Sequence, residues 1–289
     1  MTSARTLPRR GGGVVPRLRR PPRTDSRLRA LVASYRVLPL LIVRDLKVRY
    51  AGSLLGYLWT ILDPLLMALI YFFVFTKIFH RDAGPASRPY IVFLVSGLLL
   101  WNWAYAVIFD ATKSLTAEAK MVRSTSVPRE IWVIRTVGSK FVEFLLSLPV
   151  LALFVVVYSG RVSVSPDVAF APLALLIQFT FLTGAALIIA PLTVLFRDVE
   201  RMVRILLRML FYFSPVLYGV QNVSTDPHVR TLFGLNPLSG PIDLFRASLF
   251  PRHFGGWHTV AVSGTVSVVF LLVGMWTFRR LEGIVLKEI

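Results

Sequence analysis

Six long apolar runs set the strongest constraint on this chain. They cover roughly residues 54–79, 90–109, 131–158, 169–196, 205–218 and 259–278. An α-helix needs about 20 consecutive, mostly apolar residues to cross the hydrocarbon core of a bilayer. A chain of 289 residues that is 55% hydrophobic carries more apolar surface than one soluble core absorbs, and far too much for disorder. The runs predict an all-α integral membrane protein with six transmembrane helices. The fourth run is the cleanest, with Gln178 its main polar interruption. The fifth is short and flows into Ser214-Pro215.

Six crossings put both termini on one side, and the bias of Lys and Arg says which. With the termini cytoplasmic, 26 of the 33 Lys and Arg fall inside and 7 outside; without residues 1–53 the split is still 13 to 7. Both termini are therefore expected in the cytoplasm, the C-terminal end being residues 281–289. Residues 1–35 read as a disordered basic tail. The first 30 hold nine Arg, one Asp, four Pro and Gly11-Gly12-Gly13, a composition that buries no core and suits anionic lipid headgroups. No aromatic precedes Tyr35, so bases have nothing to stack on and nucleic acid is not an expected partner. Residues 36–52 mix Leu40, Leu41, Val43, Leu46, Val48 and Tyr50 with Arg44, Asp45, Lys47 and Arg49. Too charged to span and too apolar for a loop, they predict an amphipathic helix in the interfacial plane.

The chemistry missing from the chain narrows its function. No G-x-x-x-x-G-K-[ST] loop is present, so this chain is not expected to cradle a nucleotide that way. It has no Cys, and His80, His228, His253 and His258 lack the carboxylates and spacing of a metal site. No nucleophile has a base at useful spacing, and Asp226 and Asp243 stand apart in the last outer loop. No catalytic residue, metal or cofactor is expected on this chain.

Acids and aromatics within the runs are the positive signals. Asp63, Asp110 and Glu143 lie in or near spans, where a central carboxylate costs about 2.5–3.5 kcal/mol and must face a partner helix or water. Asp63 precedes Pro64, which removes a donor and predicts a kink. Two readings of Asp63 stand open: a satisfied polar neighbour of the kink, or a lining position. Trp101 and Tyr105 are four apart near the middle of the second run, on one helix face, rather than at the interfaces where Trp and Tyr gather. With Tyr57 and Trp59 at the start of the first run, they suit a sugar-lined pathway; ordinary helix packing is the other reading. The outer loop, residues 219–258, carries Asn236-Pro237 and a short apolar stretch, 241–250, with Arg246. This stretch predicts a short re-entrant or surface helix. Together with Ser214, Pro215 and Tyr218, it gives a candidate outer gate over residues 213–256, including Asn236, Pro237 and Arg246.

Several blocks in order resemble one family. They are Arg44-Asp45-Leu46-Lys47-Val48-Arg49-Tyr50 with Ser53-Leu54-Leu55-Gly56-Tyr57-Leu58-Trp59 and Asp63-Pro64-Leu65; Ser96-Gly97-Leu98-Leu99-Leu100-Trp101-Asn102-Trp103; Val127-Pro128-Arg129-Glu130-Ile131; Phe196-Arg197-Asp198-Val199 with Ser214-Pro215-Val216-Leu217-Tyr218; and Leu235-Asn236-Pro237-Leu238 with Arg246. The chain resembles the membrane subunit of ABC-2 type exporters of lipid-linked polysaccharide, the group that exports O-antigen, teichoic acid and galactan, over about residues 36–280. Ala117-Glu118-Ala119 stands where an Asn is common in the family, and the basic tail is longer. Arg outnumbers Lys 27 to 6, which suggests a GC-rich genome and, with the tail, an actinobacterial galactan exporter.

The resemblance implies a transmembrane domain over residues 53–280 and a location in the bacterial inner or plasma membrane. It implies a homodimer joined to two copies of an ATP-binding subunit, which holds the ATP and Mg. The loop 117–130 would be the coupling helix, with Glu118, Lys120, Arg123, Pro128, Arg129 and Glu130 as its contacts. Arg44, Lys47 and Arg49 become candidate contacts for the pyrophosphate of a polyprenyl-linked glycan at the cytoplasmic entrance, since diphosphate favours several cationic donors. A different ABC-2 cargo, such as a drug or lipid, is the alternative within transport. A membrane enzyme acting on lipid-linked sugars, or an ATP-independent transporter, would need acids the chain does not cluster.

Overall fold

A computed structural model describes residues 37–78, 90–125, 127–158, 166–219, 233–250 and 254–288. The expected basic tail, along with His80, Asp226, His228 and His253, lies outside the described residues. Among those described, every regular element is a helix. In chain order they are α1 (Val37–Tyr50), α2 (Trp59–Phe72), α3 (Tyr90–Ala111), α4 (Ala119–Ser124), α5 (Glu130–Val157), α6 (Phe170–Leu195), α7 (Val199–Phe213), α8 (Ser239–Ala247) and α9 (Trp257–Glu288). A 3₁₀ turn, Gly56–Leu58, leads into α2, and a π-helical stretch, Phe73–Ile78, continues it.

Among the described residues, four helices are long and apolar enough to cross a membrane: Tyr90–Ala111, Glu130–Val157, Asp167–Leu195 and Trp257–Glu288. The first run is a shorter apolar helix, Gly56–Phe72. The fifth differs most from expectation. Its helix starts at Val199, six residues early, and ends at Phe213. At 15 residues it spans about 22 Å, short of the roughly 30 Å hydrocarbon core. Ser214 is extended at its C-cap, as the residue before a proline prefers.

The turn from α1 into α2 uses two left-handed glycines, Gly52 at φ 76° and Gly56 at φ 50°, a region other residues rarely enter. Pro64 lies inside α2, which continues through it; the carbonyl of Thr60 loses its usual donor. α3 is the central element, with 16 of its 22 residues buried. Gln178 on α6 is fully buried, and its amide donates to the Leu100 carbonyl of α3 at 2.8 Å. That bond satisfies the donor side of the polar interruption in the fourth run.

α6 and α9 run parallel, because their contacts advance together: Phe170 on Trp257, Phe181 on Phe270, Gly184 on Gly274. The two glycines let the backbones touch. A Cβ on Gly184 would lie 2.4 Å from the Leu271 nitrogen, and one on Gly274 2.4 Å from the Gly184 carbonyl oxygen. Small residues at such crossings give van der Waals contact where no hydrophobic force draws helices together. Gly184→Leu is expected to lower stability by about 1–3 kcal/mol through overpacking, read as a fall in thermal midpoint of the purified protein. Gly283→Ala, where a Cβ meets nothing within 4 Å, should leave the midpoint in place or raise it slightly, since Ala favours a helix over Gly.

Candidate functional site

The two ends of the bundle differ in kind. At one end α1 lies across α5 and joins it through charges. The Arg44 guanidinium pairs with Glu118 and lies 3.3 Å from Asp45; Arg135 lies 2.9 Å from Asp45 and 3.0 Å from Glu118. One turn on, Arg49 pairs with Asp110 at 2.8 Å and Glu143 at 3.3 Å, while Lys140 reaches the same two carboxylates at 3.0 and 3.1 Å. Four cations meet four anions, so the lattice is neutral. Arg135 and Lys140 are 7% and 5% exposed, and such buried charges persist only because each has partners. Burial pushes the Glu118 carboxyl up, but the hydrogen bond from Arg44 and the charge of Arg135 outweigh it and hold it below the usual carboxylate range. The hydrogen bond to Glu118 and the nearby carboxylates raise Arg44.

This lattice lies between two cavities. One, of about 530 Å³, opens among Arg44, Asp45, Asp110, Glu118 and Arg135; the other, of about 430 Å³, is lined by Trp59, Asp63, Asn102, Trp103, Tyr105 and Ser147. Arg49, Lys140 and Glu143 line both and so form the wall between a charged chamber and an aromatic one.

At the opposite end the outer-gate residues form one hydrogen-bonded knot. Arg246, 4% exposed, donates to the carbonyls of Phe93 (3.1 Å), Pro215, Val216 (2.6 Å) and Tyr218 (3.3 Å), with its guanidinium 3.5 Å over the Phe93 ring. Gly97 makes room: a Cβ there would lie 2.2 Å from an Arg246 Nη. Asn236 donates to the Phe213 carbonyl and Ser214 hydroxyl, both at 3.0 Å, and accepts from the Leu238 amide. All nine residues of α8 are buried, so it is enclosed by α3, α6 and α9 rather than lying on a surface. Irregular backbone at membrane depth is tolerated where protein encloses it, and Arg246 and Asn236 satisfy it here.

The sequence-predicted lining residues separate. Trp59 and Tyr105 are about two-fifths exposed and share the aromatic cavity with Asp63. Tyr57 is exposed and packs on Tyr50 at 4.9 Å. Trp101 is buried against Phe211 of α7 at 5.4 Å, an internal packing position. Trp103 lines the cavity with its ring on Phe141 and Phe144.

Of the entrance cations, Arg44 and Arg49 are held by carboxylates, and Lys47 is exposed. In the coupling segment α4 is only six residues; Lys120 and Arg123 are exposed, whereas Glu118 turns inward. Arg129 approaches Glu282 of α9 at 4.0 Å, and Pro128 and Glu130 are half-buried. Pro215 is buried and Pro237 half-buried within the knot. Sequence reasoning missed Asp45, Arg135 and Lys140 as site residues. A signal was present for Arg135 alone: Arg135, Ser139 and Glu143 recur every four residues inside an apolar run, a polar face that does not name its partners.

These features define a class: a multi-pass helical membrane protein with a polar chamber inside the bundle, the architecture of a permease. Residues 36–250 match the ABC-2 type transporter family, and the chain belongs to it. It is 32% identical over 239 residues to an O-antigen export system permease protein, RfbA, of Klebsiella pneumoniae, covering 83% of this chain and 89% of that one. An RfbA of Myxococcus xanthus is 29% identical over 80% of this chain and 86% of its own length. The polysialic acid transport protein KpsM of Escherichia coli is 22% identical over 84% and 92%.

Two predictions follow from the charges. Arg246→Met strands several buried carbonyls and is expected to cost about 2–4 kcal/mol, with little recovery in Arg246→Lys, as measured by unfolding of the purified protein. Glu118 has a depressed value in the fold, so its contribution is complete above the unfolded carboxylate value of about 4.3 and is lost as pH falls through the folded one. The gap in thermal midpoint between wild type and Glu118→Gln should be widest near neutral pH and close below about pH 4.

Proposed function

We propose that this chain is the membrane subunit of an ATP-driven exporter that moves a polyprenyl-pyrophosphate-linked polysaccharide from the cytoplasm to the outer face of the inner membrane. The observation that carries the reading is the near end-to-end likeness to an O-antigen export permease, over 89% of that protein's length. The aromatic cavity supports it. Trp59 and Tyr105 offer faces to sugar C–H groups, while Asn102, Thr60 and Asp63 offer hydrogen-bonding partners.

In this reading two copies of the chain form the pathway between them, and two copies of an ATP-binding subunit hold the ATP and Mg. The lattice end faces the cytoplasm, in keeping with the distribution of Lys and Arg. α4 is the coupling helix and offers Lys120 and Arg123 to the ATPase, with Arg129 and Glu130 behind them. The exposed Lys47 is the cation best placed for first contact with a lipid pyrophosphate. Arg44 and Arg49 join it only by exchanging a carboxylate for phosphate oxygens. The knot around Arg246 closes the outer mouth. Galactan, O-antigen and teichoic-acid-type chains all fit this chemistry, and the Arg-rich composition favours galactan.

Two measurements test the reading. Purification in mild detergent from native membranes should bring down a P-loop ATPase in equal amount. Trp59→Leu with Tyr105→Leu should cut glycan export by about tenfold or more, the loss of one or two stacking contacts, and leave complex assembly and basal ATPase activity unchanged. Normal export by this double variant overturns the sugar-contact assignment; export of an apolar drug or lipid in place of glycan overturns the cargo.

A further inference from the structure

One face of α9 stands open. Gly274 and Phe278 turn inward, whereas Val269, Leu272, Val273 and Trp276 are 44–62% exposed. The apolar stripe then ends in charge: Arg279 and Arg280, both exposed, follow Trp276 by one turn. These three side chains, with Leu272 and Met275, line a shallow groove of about 390 Å³ on the outside of the bundle. The Arg280 guanidinium lies 5.6 Å from the centre of the Trp276 ring, so cation and ring stand together on its wall.

The positive charge of this groove is uncompensated. Neither arginine pairs with a carboxylate of any described residue, in contrast to the matched cations of the lattice. The nearest acid in sequence, Glu282, is 8% exposed and is approached by Arg129, so it faces the bundle and not the groove. The first 30 residues of the chain, with nine Arg and one Asp, offer charge of the same sign. The groove shares no residue with either cavity of the bundle. Arg129 precedes α5, so this end of α9 lies beside the start of that helix. From Leu272 to Arg280 the helix rises about 12 Å, passing from apolar to aromatic to cationic side chains. A bilayer runs in the same order, from acyl chains through the interface to headgroup phosphates.

We propose that this groove binds one anionic phospholipid, its headgroup phosphate on Arg279 and Arg280 and an acyl chain along Leu272 and Trp276. A phosphodiester accepts hydrogen bonds from both guanidiniums, and the planar fork of Arg suits it better than the point charge of Lys. A zwitterionic lipid brings its own cation beside the pair and is disfavoured, so the groove selects by headgroup charge. Glu282 ties the same helix end to Arg129, so the lipid is fixed beside the segment assigned above to coupling. Placement in the cytoplasmic leaflet rests on the orientation adopted above; the pairing of phosphate with arginine does not.

The chain contains no cysteine, so a single label reports on the groove alone. Full-length protein carrying Val273→Cys, an exposed position on the same face, is labelled with bimane and reconstituted into phosphatidylcholine vesicles. These contain either brominated phosphatidylglycerol or brominated phosphatidylcholine at the same low mole fraction, and contact quenching by bromine reports which lipid occupies the groove. Phosphatidylglycerol is expected to bind about tenfold more strongly. Arg279→Gln with Arg280→Gln should abolish the preference, and Arg279→Lys with Arg280→Lys should keep part of it. Arg201→Gln with Arg204→Gln, which removes the same charge from the exposed side of α7, should leave it intact. Equal quenching by the two lipids overturns the proposal, as does a preference that survives the double Gln change. Displacement of phosphatidylglycerol by inorganic pyrophosphate assigns the groove to a free anion, and displacement by an equal mole fraction of polyprenyl pyrophosphate assigns it to the cargo; either overturns the phospholipid assignment. Because the readout is lipid occupancy and not export, its failure leaves the transport reading standing.

Discussion

The lattice of four cations and four carboxylates at one end of the bundle is the interaction on which the rest of the architecture depends. α1 buries little apolar surface: Leu46 is its only fully buried residue, and Ile42 lies over Gly138 of α5. Charges hold it: Arg44 and Asp45 reach Glu118 and Arg135, and Arg49 reaches Asp110 and Glu143. Through Glu118 the same lattice holds the residue that caps α4. A displacement of α4, whose Val122 is buried in the core, therefore bears on α1 through these ion pairs. Buried pairs of this kind add little net stability, but removing one partner leaves the other uncompensated, which makes the contact all-or-none.

The far end uses a different solution to the same problem. There the backbone leaves helical geometry after Phe213, and the carbonyls of residues 215–218 need donors. Arg246 supplies them to three of the residues at 215–218 and to Phe93, with Gly97 clearing the space. Between the two ends lies the aromatic chamber, bounded on the lattice side by Arg49, Lys140 and Glu143. The bundle thus carries a charged wall at one end and a hydrogen-bonded knot at the other.

Much of this was legible in the sequence because membrane burial writes itself as run length. Residues 90–109, 131–158, 169–196 and 259–278 recur as α3, α5, α6 and α9 within a few positions, apart from the longer C-terminal extension of α9. α7 was misread in its bounds because Arg201, Arg204 and Arg208 break its apolar run, although they lie on exposed faces of a helix. Trp101 and Tyr105 share a face by spacing, yet Phe211 covers one and leaves the other open, a distinction that only tertiary packing draws. Arg135 and Lys140 were counted as topology signals, because nothing local reveals that their partners sit 90 residues upstream at Asp45 or across the bundle at Asp110. Arg246 was legible as a gate residue but not as a donor to carbonyls, since backbone acceptors leave no mark in side-chain pattern.

Reconstitution into sealed vesicles tests the central claim most directly. The purified chain is incorporated with and without its ATP-binding partner, lipid-linked glycan is loaded on the side of the lattice, and its arrival on the opposite side is followed with a membrane-impermeant lectin or glycosidase. The account predicts arrival only when both subunits and ATP are present. Arrival driven by this chain alone, or no arrival from an intact complex that hydrolyses ATP, would contradict it.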